Sequence, residues 1–252
     1  MSGELAGRAA LVTGGGSGIG RCSAVGLAEL GARVTVVDLD EAGGKETVSL
    51  VEAGGGEARF VRCDVTDADA VEALIADAVV AFGRLDIAHN NAGINGPSGF
   101  TADFAVEDWD RVIAVNLRSV FLCMKFELQV MVPAGSGVIV NTASGAGLRA
   151  FPGLPAYVAS KHGVIGLTKA AAAEYARSGV RINAVCPGST RTPMLEEFMD
   201  RIPGVEKMMT SAAPMGRLGR PEEIAAGVVW LCTDAASFVT GTAFPVDGGA
   251  VA

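Results

Sequence analysis

Residues 9–38 read AALVTGGGSGIGRCSAVGLAELGARVTVVD, an apolar run at Ala9–Val12, the turn Thr13–Gly20 (TGGGSGIG), apolar residues at helical spacing, and a second apolar run at Val34–Asp38. Strand, glycine turn, helix (Gly18–Leu30) and strand make one βαβ unit. Within the turn, Gly14, Gly18 and Gly20 follow the spacing Gly-x-x-x-Gly-x-Gly. Backbone without Cβ lets a pyrophosphate approach closely, and the N–H groups that open the following helix favour its charge. An ordinary tight turn in a glycine-rich chain is the alternative reading. Asp38 ends the second strand eighteen residues past Gly20. There a carboxylate accepts hydrogen bonds from adenosine ribose hydroxyls and repels a 2′-phosphate, although a solvated turn aspartate would look the same. No basic residue stands at Gly15, Gly16 or Leu39, and Arg21 and Arg33 read as surface charges. The expected cofactor is therefore NAD (NADH) rather than its 2′-phosphorylated form.

The same alternation runs through all 252 residues. Further strands are expected at Ala58–Cys63, Ile87–His89, Gly137–Thr142, Arg181–Cys186 and Ala243–Val246, and further helices at Ala68–Phe82, Asp108–Met131, Ala156–Arg177 and Pro221–Thr233. No proline-rich or low-complexity break divides them, so residues 1–252 read as one dinucleotide-binding and catalytic domain of α/β class, a doubly wound seven-stranded parallel sheet flanked by helices. Thr192–Gly216 stands apart: it is rich in methionine, weakly periodic, and follows a strand's carboxyl end. It reads either as an apolar substrate flap or as a helix pair packed on the core.

Half the residues are apolar, 19% are charged and 34 are glycine, which suits a sheet buried on both faces. A net charge of −8 with no Lys/Arg run argues against nucleic acid or an anionic membrane as partner. The five cysteines are odd in number and widely spaced, and suggest neither a disulfide framework nor a metal site. With no leader and no apolar run of about 20 residues, a cytoplasmic protein is expected.

Several further motifs occur in order: CDV at Cys63–Val65, NNAG at Asn90–Gly93, VNL at Val115–Leu117, Ser144, YVASK at Tyr157–Lys161, and PG at Pro187–Gly188 with Thr192 after it. With the glycine turn, these make the chain resemble the short-chain dehydrogenase/reductase family from about Leu5 to Gly249. The resemblance implies a single-domain Rossmann fold and an oxidoreductase that transfers hydride between a nicotinamide cofactor and a CH–OH group. It also implies a catalytic tetrad of Asn116, Ser144, Tyr157 and Lys161. Asp64 and Val65 would meet the adenine, Asn91, Ala92 and Gly93 would back the adenosine ribose, and Pro187, Gly188, Thr190 and Thr192 would meet the carboxamide. Gly14, Ser17, Gly18, Ile19, Gly20, Asp38 and Leu39 complete the expected cofactor site, with Tyr157 and Lys161 at the nicotinamide ribose. The family's usual Ile or Val is replaced by Thr190, and Thr192 would bond the carboxamide through its hydroxyl, the alternative being that it merely caps the following segment. Four residues apart on a helix, Tyr157 and Lys161 share a face, so an ammonium can stabilise the phenolate. Asn116 would support a water-mediated proton path behind Lys161.

The histidines, His89 and His162, lack a nucleophile or metal-ligand pattern around them and read as structural. Substrate walls are expected from Ile94–Phe100, Gly145–Pro155 and the flap, with Phe100, Leu148, Phe151 and Leu154 making them apolar. Arg149 and Arg191 border this region, either to recognise an acidic substrate or as solvated loop residues. The expected substrate is a neutral secondary alcohol or ketone, cyclic ones included. The family resemblance further implies a homotetramer joined through Asp108–Met131, Ala156–Arg177 and Pro221–Gly249. The alternatives are an NADPH-dependent 3-ketoacyl carrier reductase and a dinucleotide-binding regulator without catalysis.

Overall fold

The structure, a computed structural model, describes residues 3–201 and 204–252. Seven strands form one parallel sheet in the order β3-β2-β1-β4-β5-β6-β7: β1 Ala9–Thr13, β2 Arg33–Asp38, β3 Glu57–Arg62, β4 Ile87–Asn90, β5 Gly137–Thr142, β6 Val180–Pro187 and β7 Ala243–Val246. Because parallel neighbours need crossovers, each strand up to β6 is followed by helix that returns over one sheet face. The order reverses at β1, where β2 and β4 lie on either side, so the crevice beyond the carboxyl ends of β1 and β4 is the topological switch point.

The strands are apolar on both faces. Leu11 and Ile139 pack into a core with α3 (Ala68–Phe82), α5 (Ser119–Ala134) and α6 (Pro155–Tyr175). Their neighbours Val12, Val138 and Val140 pack on the opposite side with α1 (Gly18–Glu29), α2 (Glu41–Ala53) and α9 (Pro221–Cys232). This period of two on a doubly covered sheet is why the strands read as continuous apolar runs rather than as alternating ones.

Three elements differ from the sequence reading. The helix α2 is absent from that reading; Asp40 caps it by accepting from the Ala42 N–H at 3.1 Å. The single helix expected over Asp108–Met131 is instead α4 (Val106–Ile113), a π-helical turn at Ala114–Arg118 and then α5. The extra residue of that turn offsets Asn116 from the regular helical ladder, and such bulges recur at functional sites. The methionine-rich stretch forms α7 (Pro193–Arg201) and α8 (Val205–Ala212); its residues Ile202 and Pro203 lie outside the described residues.

Candidate active site

The carboxyl ends of β1, β2, β4, β5 and β6 border a groove of about 1010 Å³ whose wall includes α7 and α8. At one end lies the glycine turn, where Gly14, Ser17, Gly18 and Ile19 line the groove. Gly14 has φ 62°, and a Cβ there would stand 2.9 Å from the Ala92 backbone. Ser17 makes no side-chain cap bond to α1, so the first-turn N–H groups, which have no intrahelical acceptor, are available to an anion. Gly20 is different from its expected role: it lies behind the turn, where a Cβ would collide with the Gly14 carbonyl oxygen at 2.1 Å. It allows α1 to pack against the turn instead of touching the groove.

Asp38 lines the groove with Leu39, Asp64 and Val65. One carboxylate oxygen of Asp38 accepts from Gly16 N–H at 2.8 Å and the other from Asp40 N–H at 3.0 Å, which holds the charge in place while leaving lone pairs free. The surrounding basic residues correct the sequence reading. Arg21 is not a surface charge but a bracket, donating to Gly16 O at 2.5 Å, Glu46 Oε2 at 2.6 Å and Thr47 Oγ1 at 3.1 Å. The arginine beside Asp38 is Arg62, its register partner on β3, whose Nε donates to Leu39 O at 3.3 Å. A neighbour brought by sheet pairing is invisible to a scan along the chain.

A glycine-rich turn at a helix N-terminus, a fixed carboxylate one strand away, and a cavity at the upper end of ligand-pocket volumes fit a dinucleotide with a substrate beside it. Among the described residues no group of three or more His, Cys, Asp or Glu side chains is placed to hold a metal ion, and no helix is long and apolar enough to cross a membrane.

Asn91, Ala92 and Gly93 line the middle of the groove. Thr13 Oγ1 accepts from the N–H groups of Asn91 and Ala92 at 3.0 and 3.2 Å, and Asn91 Nδ2 donates to Gly14 O at 3.1 Å. The Thr142 hydroxyl donates to Asn91 Oδ1 at 3.2 Å and meets His89 Nε2 at 2.9 Å. With the hydroxyl proton given to Asn91, the imidazole must donate. Burial holds the His89 pKa down to about 3, so the ring is neutral. His89, Thr142, Asn91 and Gly14 thus form one chain of hydrogen bonds from the sheet to the glycine turn. The structural reading of His89 stands, with a definite task; His162 bonds Val158 O at 2.9 Å on the surface of α6.

Ser144, Tyr157 and Lys161 meet on the same wall. Burial raises the Tyr157 phenol above its ordinary pKa, and the neighbouring Ser144 side chain opposes that shift without cancelling it. Lys161 is buried, its Nζ 5.6 Å from the Tyr157 ring centre, and it donates to Thr142 O at 2.8 Å. Burial lowers its pKa to about 8. The chain's own groups therefore leave the phenol protonated at neutral pH. Asn116 is fully buried behind this wall. Its amide holds Ile94 from both sides, Nδ2 donating to Ile94 O and Oδ1 accepting from Ile94 N–H, each at 2.8 Å, and it also donates to Ser160 Oγ at 3.3 Å. That makes it a positioning residue for the chain after NNAG.

Pro187, Gly188, Thr190 and Thr192 line the groove after β6. Thr190 turns its hydroxyl to Gly188 O at 2.9 Å, and Thr192 Oγ1 accepts from Leu195 N–H at 3.3 Å. The capping alternative for Thr192 is therefore seen, at a residue that also lines the groove. The substrate end is apolar: Ile94, Phe151 and Leu154 on one side, Met194, Leu195, Phe198, Met208 and Met209 of α7 and α8 on the other. Phe100 and Leu148 are not on the wall but exposed, at 73% and 38%. Arg191 is occupied by Glu206 and Glu196 outside the groove, whereas Arg149 lines the groove and stacks on Phe151 at 4.8 Å. Asp247, Ala250 and Val251 also line it; nothing in their spacing points there.

A family profile described as enoyl-(acyl carrier protein) reductase matches residues 14–251. The chain is 44% identical over 247 residues to a 2,5-dichloro-2,5-cyclohexadiene-1,4-diol dehydrogenase of Sphingobium indicum, covering 98% of each. It is 45% identical over 248 residues to a cyclohexanol dehydrogenase of an Acinetobacter species, covering 98% of this chain and 96% of that one. Among solved structures, levodione reductase superposes with a TM-score of 0.94 at 41% identity, covering 97% of both chains. An NAD+-bound xylitol dehydrogenase superposes with a TM-score of 0.93 at 34% identity, covering 97% of this chain and 99% of that one.

Proposed function

The chain belongs to the short-chain dehydrogenase/reductase family, and from that membership we propose that it interconverts a neutral cyclic secondary alcohol and its ketone with NAD(H), Tyr157 carrying the proton. The observation that carries the reading is that Ser144, Tyr157 and Lys161 line the same groove as the glycine turn and the apolar residues of α7 and α8. The named relatives that act on cyclic alcohols support the ring-shaped substrate.

The first turn of α1, with Gly14, Ser17, Gly18 and Ile19, holds the pyrophosphate, Asp38 the adenosine ribose, Asp64 and Val65 the adenine, and the Asn91–Gly93 turn the back of that ribose. The stretch Pro187–Thr192 holds the carboxamide. When bound, the nicotinamide supplies the hydride acceptor in oxidation and the donor in reduction, and its oxidised ring adds positive charge to the wall. Ser144 holds the substrate oxygen by a hydrogen bond, and Tyr157 takes its proton during oxidation or returns it during reduction. Lys161, tied to Thr142 O, binds the nicotinamide ribose and, while charged, favours the phenolate. In the cofactor-free chain burial favours the protonated phenol, ready to donate, and proton acceptance strengthens as pH rises.

Preference for NAD rests on Asp38, fixed in place where a 2′-phosphate would sit. The exposed aromatic residues Trp109, Phe121, Trp230 and Phe238, on or beside α4, α5 and α9, support a homotetramer, for which light scattering should give four times the 25.6 kDa chain mass. A cytoplasmic location accords with the acidic composition. The test of the function is absorbance at the reduced-nicotinamide band with NAD or NADP over a panel of cyclic alcohols, acyclic alcohols and sugars. Turnover of cyclic alcohols with NAD is expected; turnover only of a 3-ketoacyl thioester with NADPH would replace this reading by the carrier-linked one.

A further inference from the structure

The segment after β7 reads Asp247-Gly248-Gly249-Ala250-Val251 and folds into a turn that its own first side chain ties together. Asp247 Oδ1 accepts from Gly249 N–H and Oδ2 from Val251 N–H, both at 2.9 Å. Two backbone donors on one carboxylate tie the turn together locally.

Three neighbours press on that turn. Gly188, at the end of β6, packs so closely that a Cβ there would lie 2.7 Å from the Asp247 Cα. The end of the α7–α8 stretch is stitched to it, Met215 N–H donating to Gly248 O at 3.2 Å, with Pro214 within 3.1 Å of a Cβ placed on Gly249. The third neighbour is the residue after Ser144: a Cβ on Gly145 would meet Val251 Cγ1 at 3.4 Å, ordinary van der Waals contact. Val251 is half-buried and lines the groove with Ala250 and Ala213. An apolar side chain thus stands beside Gly145, the residue after the one that holds the reacting oxygen, and lines the same groove as Ser144, on an element outside the loops after β4, β5 and β6.

We propose that the Asp247–Val251 turn is a specificity-determining wall of the substrate end, with Val251 setting how bulky a ring can lie against Ser144 and Asp247 acting as its positioning residue. The inference rests on the alcohol/ketone reading above and deepens it. The substrate class it implies is a monocyclic secondary alcohol or ketone without fused bulk on the Val251 side. Shape selection in an apolar pocket is worth roughly tenfold or more per methylene-sized change, so one valine is enough to matter.

The experiment compares kcat/KM for a fused bicyclic alcohol, decahydronaphthol, with that for cyclohexanol in wild type, Val251→Ala and Val251→Trp, alongside the NADH dissociation constant from fluorescence. The expected result is a bicyclic-to-monocyclic ratio that rises about tenfold in Val251→Ala and falls at least as far in Val251→Trp, with NADH affinity unchanged. Asp247→Asn, which keeps only one of the two acceptors, should move the ratio in the Val251→Ala direction. Should the ratio stay constant in both Val251 variants while wild type is active, the wall assignment is wrong. It is equally wrong if the ratio moves only together with NADH affinity, since Val251 would then act through the fold. A wild type that oxidises no alcohol would overturn the underlying reading, and the inference with it.

Discussion

Asp38 shows how far a single residue can be read. Its place at the end of β2 is legible from the spacing to Gly20, and the structure adds what holds it, N–H groups of Gly16 and Asp40. Arg62 is not legible in the same way, because strand register places it there and register is a property of the sheet. The pair makes cofactor choice testable. In Asp38→Asn the like-charge repulsion is gone while Arg62 remains to meet a 2′-phosphate, so the ratio of kcat/KM for NAD over NADP should fall at least about tenfold. An unchanged ratio would show that Asp38 does not select the cofactor. Tyr157, Lys161 and Ser144 are legible because their motifs name them, but the direction of the Tyr157 shift is not, since it is set by burial.

At the scale of elements, apolar runs and turn residues locate the strands to within a residue or two, and β5 and β7 at their observed bounds. The misses have physical causes. The helix α2 contains Gly43 and Gly44, poor helix formers that depress its propensity; a Cβ on Gly44 would lie 2.1 Å from the Phe60 ring, so packing against β3 overrides that propensity. The π-helical turn around Asn116 leaves no trace in periodicity, because it adds a single residue within an otherwise continuous helical run. The sequence leaves α7 and α8 between flap and packed helices, and their groove-facing methionines are compatible with either. We expect the pair to move: amide deuterium exchange in α7 and α8 should be at least about tenfold faster than in α6 and should slow when NADH and a ketone are bound. Exchange as slow as in α6 would make these helices a fixed wall.

For the molecule as a whole, a half-apolar sequence foretells a doubly covered sheet, but not the polar cluster inside it. Glu127 on α5 is fully buried, with Asn90 Nδ2 donating to one oxygen at 3.1 Å and its other oxygen unpartnered. Burial raises its pKa to about 8, opposed only by that bond. The folded chain thus keeps a proton that the unfolded chain loses near pH 4.5, so stability falls as pH rises toward 8. His89 has the opposite effect, but only below about pH 6.5. Between pH 6.5 and 8 the cofactor-free wild type should lose melting temperature, and Glu127→Gln should flatten that slope; equal slopes would mean the carboxyl is ionised in the fold. Function in turn depends on one phenol on the groove wall moving the proton of a hydride-transfer reaction. Turnover of a cyclic alcohol by wild type and Tyr157→Phe, with NADH binding followed in both, tests that dependence without intermediaries. A loss of about a hundredfold or more with NADH affinity kept is expected, and a fully active Tyr157→Phe would contradict it.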